Sequence, residues 1–546
     1  MHHYGWVTTG AHVVIDRLVA GGVELCFANP GTSEMHFVAA LDAFPEMRAV
    51  LCPFEGVATG AADGYARIAG KPAATLLHLG PGLANGLANL HNARRAYSPV
   101  VNIVGDHATY HQEFDAPLQS NIDGLADWLE WTVHRPASAA ELGNTVDAAV
   151  AAAGEAHIAT LILPADLSWG ESNVDAPPPA SRPRQAAPLD VGGISALADQ
   201  GCTNREIAEK LSVPVRVVER ALDTAAAPVE ILRTHGERVV LLLGGYATTA
   251  AGLRAAARIS AATGAKAFVE TFPARLARGR GVPDIPRLGY FAELAQEQLR
   301  GTTHLFLAGA RSPVAFFAYP GMPSDLVPEG AETRTLRSGR LEQIADRLGT
   351  PDPPASQGPP ELPSGPLRSD NWASVIGALL PENAIISDEA NTSGLLLPAA
   401  TAGAPPHDVL TLTGGAIGQG LPVAVGAAIA APHRPVIALQ ADGSALYTIS
   451  ALWTMAREQL DITVVILNNR AYAILQVELM RVGASAAGPK AQSLLDLSNP
   501  DIDFVAIAEG FGVPAKRATT AEELATHFGA AITEPGPHLI DAALAR

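Results

Sequence analysis

Short apolar runs recur along this 546-residue chain, separated by alanine-rich segments with helical character. Continuous apolar runs of about four to eight residues between helices are typical of parallel strands buried on both faces of a sheet. We therefore predict an α/β protein built from doubly wound parallel sheets, whose ligands bind beyond the carboxyl ends of the strands. The predicted strands are 24–28, 73–79, 100–104, 159–163, 239–243, 266–269, 304–307, 384–387, 436–439 and 462–467.

Two proline-rich stretches, 176–192 and 349–366, divide the chain. Proline lacks a backbone donor and favours extended backbone, so stretches of this kind are typical of surface linkers. We predict an N-terminal domain over 1–175, a helical insertion over 193–235, a central domain over 236–348 and a C-terminal domain over 367–546.

The charge and cysteine content exclude several classes of function. A formal net charge of −18 argues against nucleic acid as the main partner, because phosphate binding needs clustered Lys and Arg. The three cysteines, Cys26, Cys52 and Cys202, are too widely spaced for a metal cluster or a disulfide framework. The start lacks a signal-peptide pattern, and the apolar runs are far shorter than the roughly 20 residues that span a bilayer. We expect a cytoplasmic protein without a membrane segment.

Polar residues follow two of the predicted strands in the C-terminal domain. Asp442-Gly443-Ser444 comes after 436–439, and Asn469 follows 462–467. Adjacent strand ends bring such residues to one place, and carboxylate and amide oxygens are ligands that Mg²⁺ prefers beside a phosphate. The alternative is a pair of ordinary turns, which Asp-Gly and Asn-Asn also form.

A second candidate lies in the N-terminal domain, where Glu55 follows Pro53-Phe54 and opens a helix of small residues. An acid in this setting is a partly desolvated carboxyl group. The alternative is a first-turn glutamate that the helix dipole favours.

The order of Asp-Gly-Ser, a helix, an apolar strand and Asn-Asn resembles the thiamine diphosphate signature, and the segment around Glu55 resembles the one that carries the activating glutamate. The chain is similar to acetolactate synthase large-subunit-like proteins of the actinobacterial type, and more distantly to benzoylformate decarboxylases. This resemblance implies pyrimidine-binding, central and diphosphate-binding domains. It also implies a homodimer or homotetramer with active sites between subunits, one subunit giving Glu55 and the other Asp442 and Asn469.

The resemblance implies a role for each matched residue. Glu55 would bind the pyrimidine ring of the cofactor, and Ile417 would wedge its two rings together, unless Ile417 is an ordinary core residue. Asp442, Asn469 and the carbonyl of Ala471 would bind Mg²⁺. The other residues expected at the cofactor are Asn29, Pro30, Gly31, Asn85, Asn391, Thr392, Gly415, Gly443, Ser444, Tyr472 and Ile474.

The substrate side is expected to include four residues. His78 matches a histidine that transfers protons in decarboxylases, although a lone histidine is also a common structural residue. Thr32 would bind a substrate carboxylate, or else cap the helical segment beginning at Glu34. Gln119 and Leu475 would line the pocket.

Three departures from the pattern bear on the reaction. Ala441 replaces the first glycine of the metal motif, and Gly56 replaces the glutamine usual after the activating glutamate in acetolactate synthases. The segment 308–317 lacks the charged stretch that accompanies FAD, which argues against FAD. The resemblance implies decarboxylation of a 2-oxo acid with carboligation to a second carbonyl compound, dependent on thiamine diphosphate and Mg²⁺. The alternative, which His78 and the missing FAD stretch favour, is non-oxidative decarboxylation of the benzoylformate type.

The segment 194–222 resembles a helix-turn-helix and looks inserted into the family pattern. Thr203 and Glu206 form a capping-box pattern at a helix start. The segment carries equal numbers of basic and acidic residues, whereas a DNA reader is basic, so we do not expect DNA binding. A regulatory, DNA-associated protein on an enzyme scaffold is the second alternative function, and a helical spacer or subunit contact is the other role for this segment.

Overall fold

The computed structural model describes residues 8–130, 132–171, 210, 228–318, 321–352, 358–482 and 488–545. The linker 176–192 and, apart from residue 210, the helix-turn-helix prediction for 194–222 lie outside them. The described residues form two compact units, one made of 1–179 and 359–546 and the other of 180–358. None of the described helices is long and apolar enough to cross a membrane.

An all-parallel sheet in the N-terminal part has the strand order β2-β1-β3-β4-β6-β5. Its central strands are buried on both faces, as their continuous apolar sequences predict. The strands are β1 (Leu25–Asn29), β2 (Arg48–Leu51), β3 (Ala73–Leu77), β4 (Val100–Asp106), β5 (Thr132–His134) and β6 (Ile158–Pro164), and the helices are α1 (Gly10–Ala20), α2 (Met35–Ala40), α3 (Glu55–Ala69), α4 (Leu79–Ala96), α5 (Ile122–Asp127), α6 (Leu142–Gly154) and α7 (Ala165–Trp169).

The unit made of 180–358 has a parallel sheet in the order β11-β10-β7-β8. Its strands and helices are β7 (Val239–Leu243), α8 (Ala250–Thr263), β8 (Lys266–Val269), the short strand β9 (Leu276–Arg278), α9 (Ala292–Leu299), β10 (His304–Ala308), β11 (Glu332–Leu336) and α10 (Arg340–Leu348).

The C-terminal part has six parallel strands in the order β16-β17-β15-β14-β12-β13. The strands are β12 (Ile385–Glu389), β13 (His407–Thr411), β14 (Val436–Ala441), β15 (Ile462–Asn468), β16 (Ala515–Ala518) and β17 (His538–Ala543). The helices are α11 (Trp372–Leu379), α12 (Leu397–Thr401), α13 (Gly420–Ala430), α14 (Asp442–Ala445), α15 (Ala451–Arg457), α16 (Ala473–Arg481), α17 (Pro489–Ser493), α18 (Phe504–Gly510) and α19 (Ala521–Ala531).

The N- and C-terminal sheets share one strand order. With strands counted from β1 in the first and from β12 in the last, both run 2-1-3-4-6-5. In such an order the connections diverge between strands 1 and 3, where ligands of open α/β sheets bind. The predicted fold class is therefore confirmed for the three sheets, while the domain boundaries stay predictions.

Corresponding helices of the two sheets pack directly on one another. Helix α3 follows β2, helix α13 follows the equivalent strand β13, and their contact is built on small residues. A Cβ at Gly64 would lie 2.1 Å from the carbonyl oxygen of Val423, and one at Gly426 would lie 1.9 Å from the carbonyl oxygen of Ala61. Only glycine lets these two backbones approach so closely.

We predict that Gly64→Ala lowers the midpoint of thermal unfolding, because the added methyl group meets backbone and not a movable side chain. Such overpacking costs about 1–3 kcal/mol, more than alanine gains in helix propensity. Gly529→Ala in α19 is the matched control, since a Cβ there has no neighbour within 4 Å. Gly529→Ala should give a midpoint of thermal unfolding equal to or higher than that of the unsubstituted protein. Equal midpoints for Gly64→Ala and Gly529→Ala would contradict the close packing of α3 on α13. Differential scanning calorimetry measures both.

Candidate active site

Glu55 begins α3 directly after β2 and is 7% exposed. The amide Nδ2 of Asn85, in α4, donates a 3.0 Å hydrogen bond to Glu55 Oε2. A Cβ on Gly82 would lie 3.3 Å from Oε1, so the helix α4 passes close to the carboxylate. The predicted pair Glu55 and Asn85 therefore lies together at the carboxyl edge of the N-terminal sheet.

His78 lies at the carboxyl end of β3, beside the turn that follows β1. Its Nδ1 is 2.8 Å from Oε2 of Glu34, which also accepts 2.7 Å from the backbone N–H of Gly31. Ser33 Oγ donates to the other oxygen of Glu34 at 2.5 Å. Glu34 is only 3% exposed, so a buried carboxylate orients the imidazole. The sequence analysis named Glu34 only as the start of a helical segment and did not assign it to the site; its place at the end of Asn29-Pro30-Gly31-Thr32-Ser33-Glu34 is the signal that could have indicated it.

The strand predicted over 73–79 is two residues too long. The strand that contains Ala73 ends at Leu77, so His78 does not lie in it, but is the residue before α4. The reason is local, because Leu79 has a φ of 49°, which no strand residue adopts.

The predicted metal residues lie at adjacent strand ends. Strands β14 and β15 pair in parallel, so Asp442 and Asn469 follow neighbouring strands. Asp442 accepts from the backbone N–H of Gly443 at 2.8 Å and of Arg470 at 2.6 Å. Asn469 Oδ1 accepts from the N–H of Ala471 at 2.9 Å. Burial raises the pKa of Asp442 to about 6, against the lowering effect of these N–H donors.

The donor set fits a hard divalent cation. A carboxylate, an amide oxygen and a backbone carbonyl are all oxygen ligands, which suit Mg²⁺ when phosphate oxygens and water complete the shell. Within the described part of the chain no three His, Cys, Asp or Glu side chains form a metal cluster, so a cation here needs this mixed set.

The loop that carries Ile417 lies between β13 and α13. It turns at two glycines in the left-handed region, Gly415 with φ 77° and Gly418 with φ 94°. Asn92 of α4 holds it by bonds to both the N–H and the carbonyl of Ala416, at 3.2 and 2.7 Å. Ile417 is half-buried, whereas the side chains of the hydrophobic cores are buried. Its role as a wedge stays a prediction.

Asn89 bridges the start of the Glu55 helix and the Ile417 loop of the same chain. Its Nδ2 donates to the carbonyl of Gly56, next to Glu55, at 2.7 Å and to the carbonyl of Gly418, next to Ile417, at 3.3 Å. The crossing of α3 and α13 therefore brings the start of the Glu55 helix to the Ile417 loop within one chain. The division of each site between two subunits stays a prediction.

The remaining predicted residues differ in their exposure. Thr32 and Asn391 are exposed at the ends of β1 and β12, while Gln119 is half-buried and its Oε1 has no hydrogen-bond partner among the described residues. A Cβ on Gly443 would lie 2.5 Å from the ring of Tyr472. The half-buried residues are Asn29, Pro30, Gly31, Thr392, Ala471, Tyr472 and Ile474, Ser444 is buried, and Leu475 is 45% exposed.

A second buried acid, Glu389, was also missed. It is the last residue of β12, is 2% exposed, and accepts from the N–H groups of Gly418 and Gly420 at 2.7 and 2.6 Å and from Gln440 at 2.9 Å. Burial raises its pKa to about 7, although these hydrogen bonds lower it. An acid at the end of an apolar strand is the only signal in the sequence that could have indicated it.

Comparisons with known proteins agree with this geometry. The protein-family model "Thiamine pyrophosphate enzyme, N-terminal TPP binding domain" matches residues 8–127. The family model "Thiamine pyrophosphate enzyme, C-terminal TPP binding domain" matches residues 396–542. The chain therefore belongs to the thiamine pyrophosphate-dependent enzymes of acetolactate synthase and benzoylformate decarboxylase type, and the predicted resemblance is confirmed.

Two curated relatives match nearly the whole chain. The chain is 57% identical over 543 residues to "Putative acetolactate synthase large subunit IlvX" of Mycobacterium tuberculosis, covering 97% of this chain and 98% of that protein. It is 31% identical over 555 residues to benzoylformate decarboxylase of Pseudomonas aeruginosa, covering 95% and 96%. The solved structure of a thiamine diphosphate-dependent 4-hydroxybenzoylformate decarboxylase of Rhodococcus jostii RHA1 has the same fold, with a TM-score of 0.80, 24% identity and coverage of 98% and 99%.

The raised pKa of Glu389 predicts a pH dependence of stability. Its pKa is about 7 in the folded chain against an ordinary 4.5, so the folded state binds more protons between these values. Stability from this group is therefore greatest at low pH and falls as pH rises through the window. In Glu389→Gln this pH-dependent contribution to the free energy of unfolding is absent, because a glutamine side chain does not titrate. The midpoint of thermal unfolding of the unsubstituted protein relative to this variant should decrease from pH 5 to pH 8 in calorimetry, and a constant difference would contradict the prediction.

Proposed function

We propose that this chain decarboxylates a 2-oxo acid with thiamine diphosphate and Mg²⁺ and joins the product to a second carbonyl compound. The observation that carries the proposal is the pair of oxygen donors, Asp442 and Asn469, that follow the adjacent parallel strands β14 and β15. The identity of 57% to the relative named "Putative acetolactate synthase large subunit IlvX" supports the same reaction.

The residues of the chain divide the work. Asp442, Asn469 and the carbonyl of Ala471 would bind the metal and, through it, the diphosphate. Glu55 would bind the pyrimidine ring, and the bond from Asn85 to Oε2 leaves Oε1 to accept or donate the proton at the ring nitrogen. Thiamine diphosphate itself supplies the electron sink for decarboxylation.

His78 would move a proton at the substrate. The carboxylate of Glu34 engages Nδ1, which favours the tautomer with the proton on Nδ1 and leaves Nε2 free for exchange. Because Glu34 also binds the N–H of Gly31, the imidazole and the turn carrying Thr32 are held by one side chain.

A non-oxidative decarboxylase is the second candidate. The His78–Glu34 pair favours it, because protonation after loss of CO₂ needs a positioned acid. The identity of 31% to a benzoylformate decarboxylase and the absence of the FAD-associated stretch in 308–317 also support it. Proton NMR of the protein with pyruvate, thiamine diphosphate and Mg²⁺ separates the two: acetolactate supports the carboligase and acetaldehyde alone supports the decarboxylase. Unused pyruvate directs the test to benzoylformate.

We predict that Glu55→Gln lowers kcat by about 10²- to 10⁴-fold, as expected for loss of a proton-transfer group, with little change in the unfolding midpoint. Glu46→Gln is the control, since Glu46 is exposed in the same sheet domain. Turnover of the accepted 2-oxo acid is followed by NMR, and unchanged kcat in Glu55→Gln would refute the assignment.

We predict that dialysis against a chelator abolishes turnover and that added Mg²⁺ restores it. Asp442→Ala should weaken the apparent Mg²⁺ affinity by about a hundredfold or more, since loss of outer partners alone costs about 10- to 100-fold. Asp501→Ala, at an exposed carboxylate, serves as the control. A Mg²⁺ titration of turnover measures both, and equal affinities would remove Asp442 from the metal site.

A further inference from the structure

Glu389 lies next to the Ile417 loop, at the end of β12. The neighbouring strand, β14, ends just before Asp442. Strand β12 pairs with β14, and its last residue, Glu389, is opposite Gln440. The side chain of Glu389 is buried, yet neither the metal set nor the proposed proton-transfer residues include it. A buried carboxylate needs several hydrogen bonds to offset its desolvation, so its partners indicate its role.

Its two oxygens hold the loop on either side of Gln419. Oε1 accepts from the N–H of Gly418 at 2.7 Å, and Oε2 accepts from the N–H of Gly420 at 2.6 Å. Gly418 directly follows Ile417, and Gly420 begins α13. The carboxylate thus fixes the backbone directly after Ile417 and the first residue of α13.

The same carboxylate reaches the turn that carries Asp442. Gln440 Nε2 donates to Glu389 Oε2 at 2.9 Å and to Ser444 Oγ at 2.7 Å, and Ser444 Oγ donates to the carbonyl of Ala441 at 3.1 Å. A continuous chain of hydrogen bonds therefore joins the Ile417 loop to the first turn of the Asp442 helix.

All the partners described are donors, which explains why the residue is an acid. A carboxylate offers acceptors on both oxygens, whereas a glutamine would point its NH₂ group at one of the N–H groups. The space between Glu389 and the start of α13 is also limited. A Cβ on Gly420 would lie 2.9 Å from Cβ of Glu389 and 2.3 Å from Oε1 of Gln440.

We propose that Glu389 is a positioning residue, which holds the Ile417 loop in register with the Asp442 turn so that the two cofactor-binding segments act as one rigid surface. The inference rests on the proposed function, because the loop and the turn are assigned to thiamine diphosphate there. Glu389 touches neither substrate nor cofactor in this role; it acts through the backbone of Gly418 and Gly420.

The test uses the full chain with Glu389→Gln and Glu389→Asp, and Glu509→Gln as the control at an exposed glutamate of the C-terminal part. Three quantities are measured: the unfolding midpoint without cofactor, the Kd of thiamine diphosphate at saturating Mg²⁺ by calorimetry, and the rate of deuterium exchange at the cofactor C2 proton in the loaded protein. The exchange rate reports the placement of the rings, which a residue with a purely structural role would leave unchanged once the cofactor is bound.

We expect exchange to slow by about tenfold to a hundredfold in both Glu389 variants, as for a small misplacement of reacting groups. The control should exchange at the rate of the unsubstituted protein. Exchange at that same rate in both Glu389 variants would overturn the inference alone. Failure of the unsubstituted protein to bind thiamine diphosphate would overturn the proposed function, and this inference with it.

A third variant covers the case in which the Glu389 substitutions prevent folding. Gln440→Ala keeps the carboxylate and removes only its bond towards Ser444. It should slow exchange by a smaller factor than the Glu389 variants, and an unchanged rate would overturn the link between the loop and the turn.

Discussion

The close crossing of α3 and α13 is the constraint on which the candidate site depends. Each helix follows the second strand of its own sheet, and the two sheets have the same strand order. Gly64 and Gly426 leave no room for a Cβ between the two helix backbones. The bonds of Asn89 to the carbonyls of Gly56 and Gly418 show that the amino ends of both helices lie close together. Glu55 stands at one amino end and the Ile417 loop precedes the other.

Buried polar groups give this crossing a single register. Arg67 of α3 pairs with Asp63 on the same helix and donates to the carbonyl of Thr411 at 2.8 Å, at the end of β13. Asn89 and Asn92 of α4 add bonds to the loop at 416–418. An apolar contact tolerates sliding, whereas buried donors left without acceptors are costly, so these bonds specify one arrangement.

Buried acids serve both sheets in a similar way. Glu34 binds the N–H of Gly31 just after β1, and Glu389, the last residue of the equivalent strand β12, binds the N–H groups of Gly418 and Gly420. Each carboxylate fixes a glycine-containing turn near the place where the connections diverge between strands 1 and 3 of its sheet. Ligands of open α/β sheets bind at this place. His78 on one side and Ile417 on the other, the residues proposed to face the ligand, are thereby held by neighbouring buried groups.

The sequence alone determined the fold class and the main candidate residues, because apolar runs such as 462–467 mark buried parallel strands and polar residues after them mark the ligand edge. It also indicated Glu55, Asp442 and Asn469, each by its position just after an apolar segment and by resemblance to two short family motifs. Only the tertiary structure decided that Glu34, Asn89 and Glu389 support the site, since their partners His78 and Gly418 are 29 to 329 positions away. A local sequence pattern does not predict such contacts. They form when the N- and C-terminal sheets, which have the same strand order, are brought together by the glycine-mediated packing of α3 on α13.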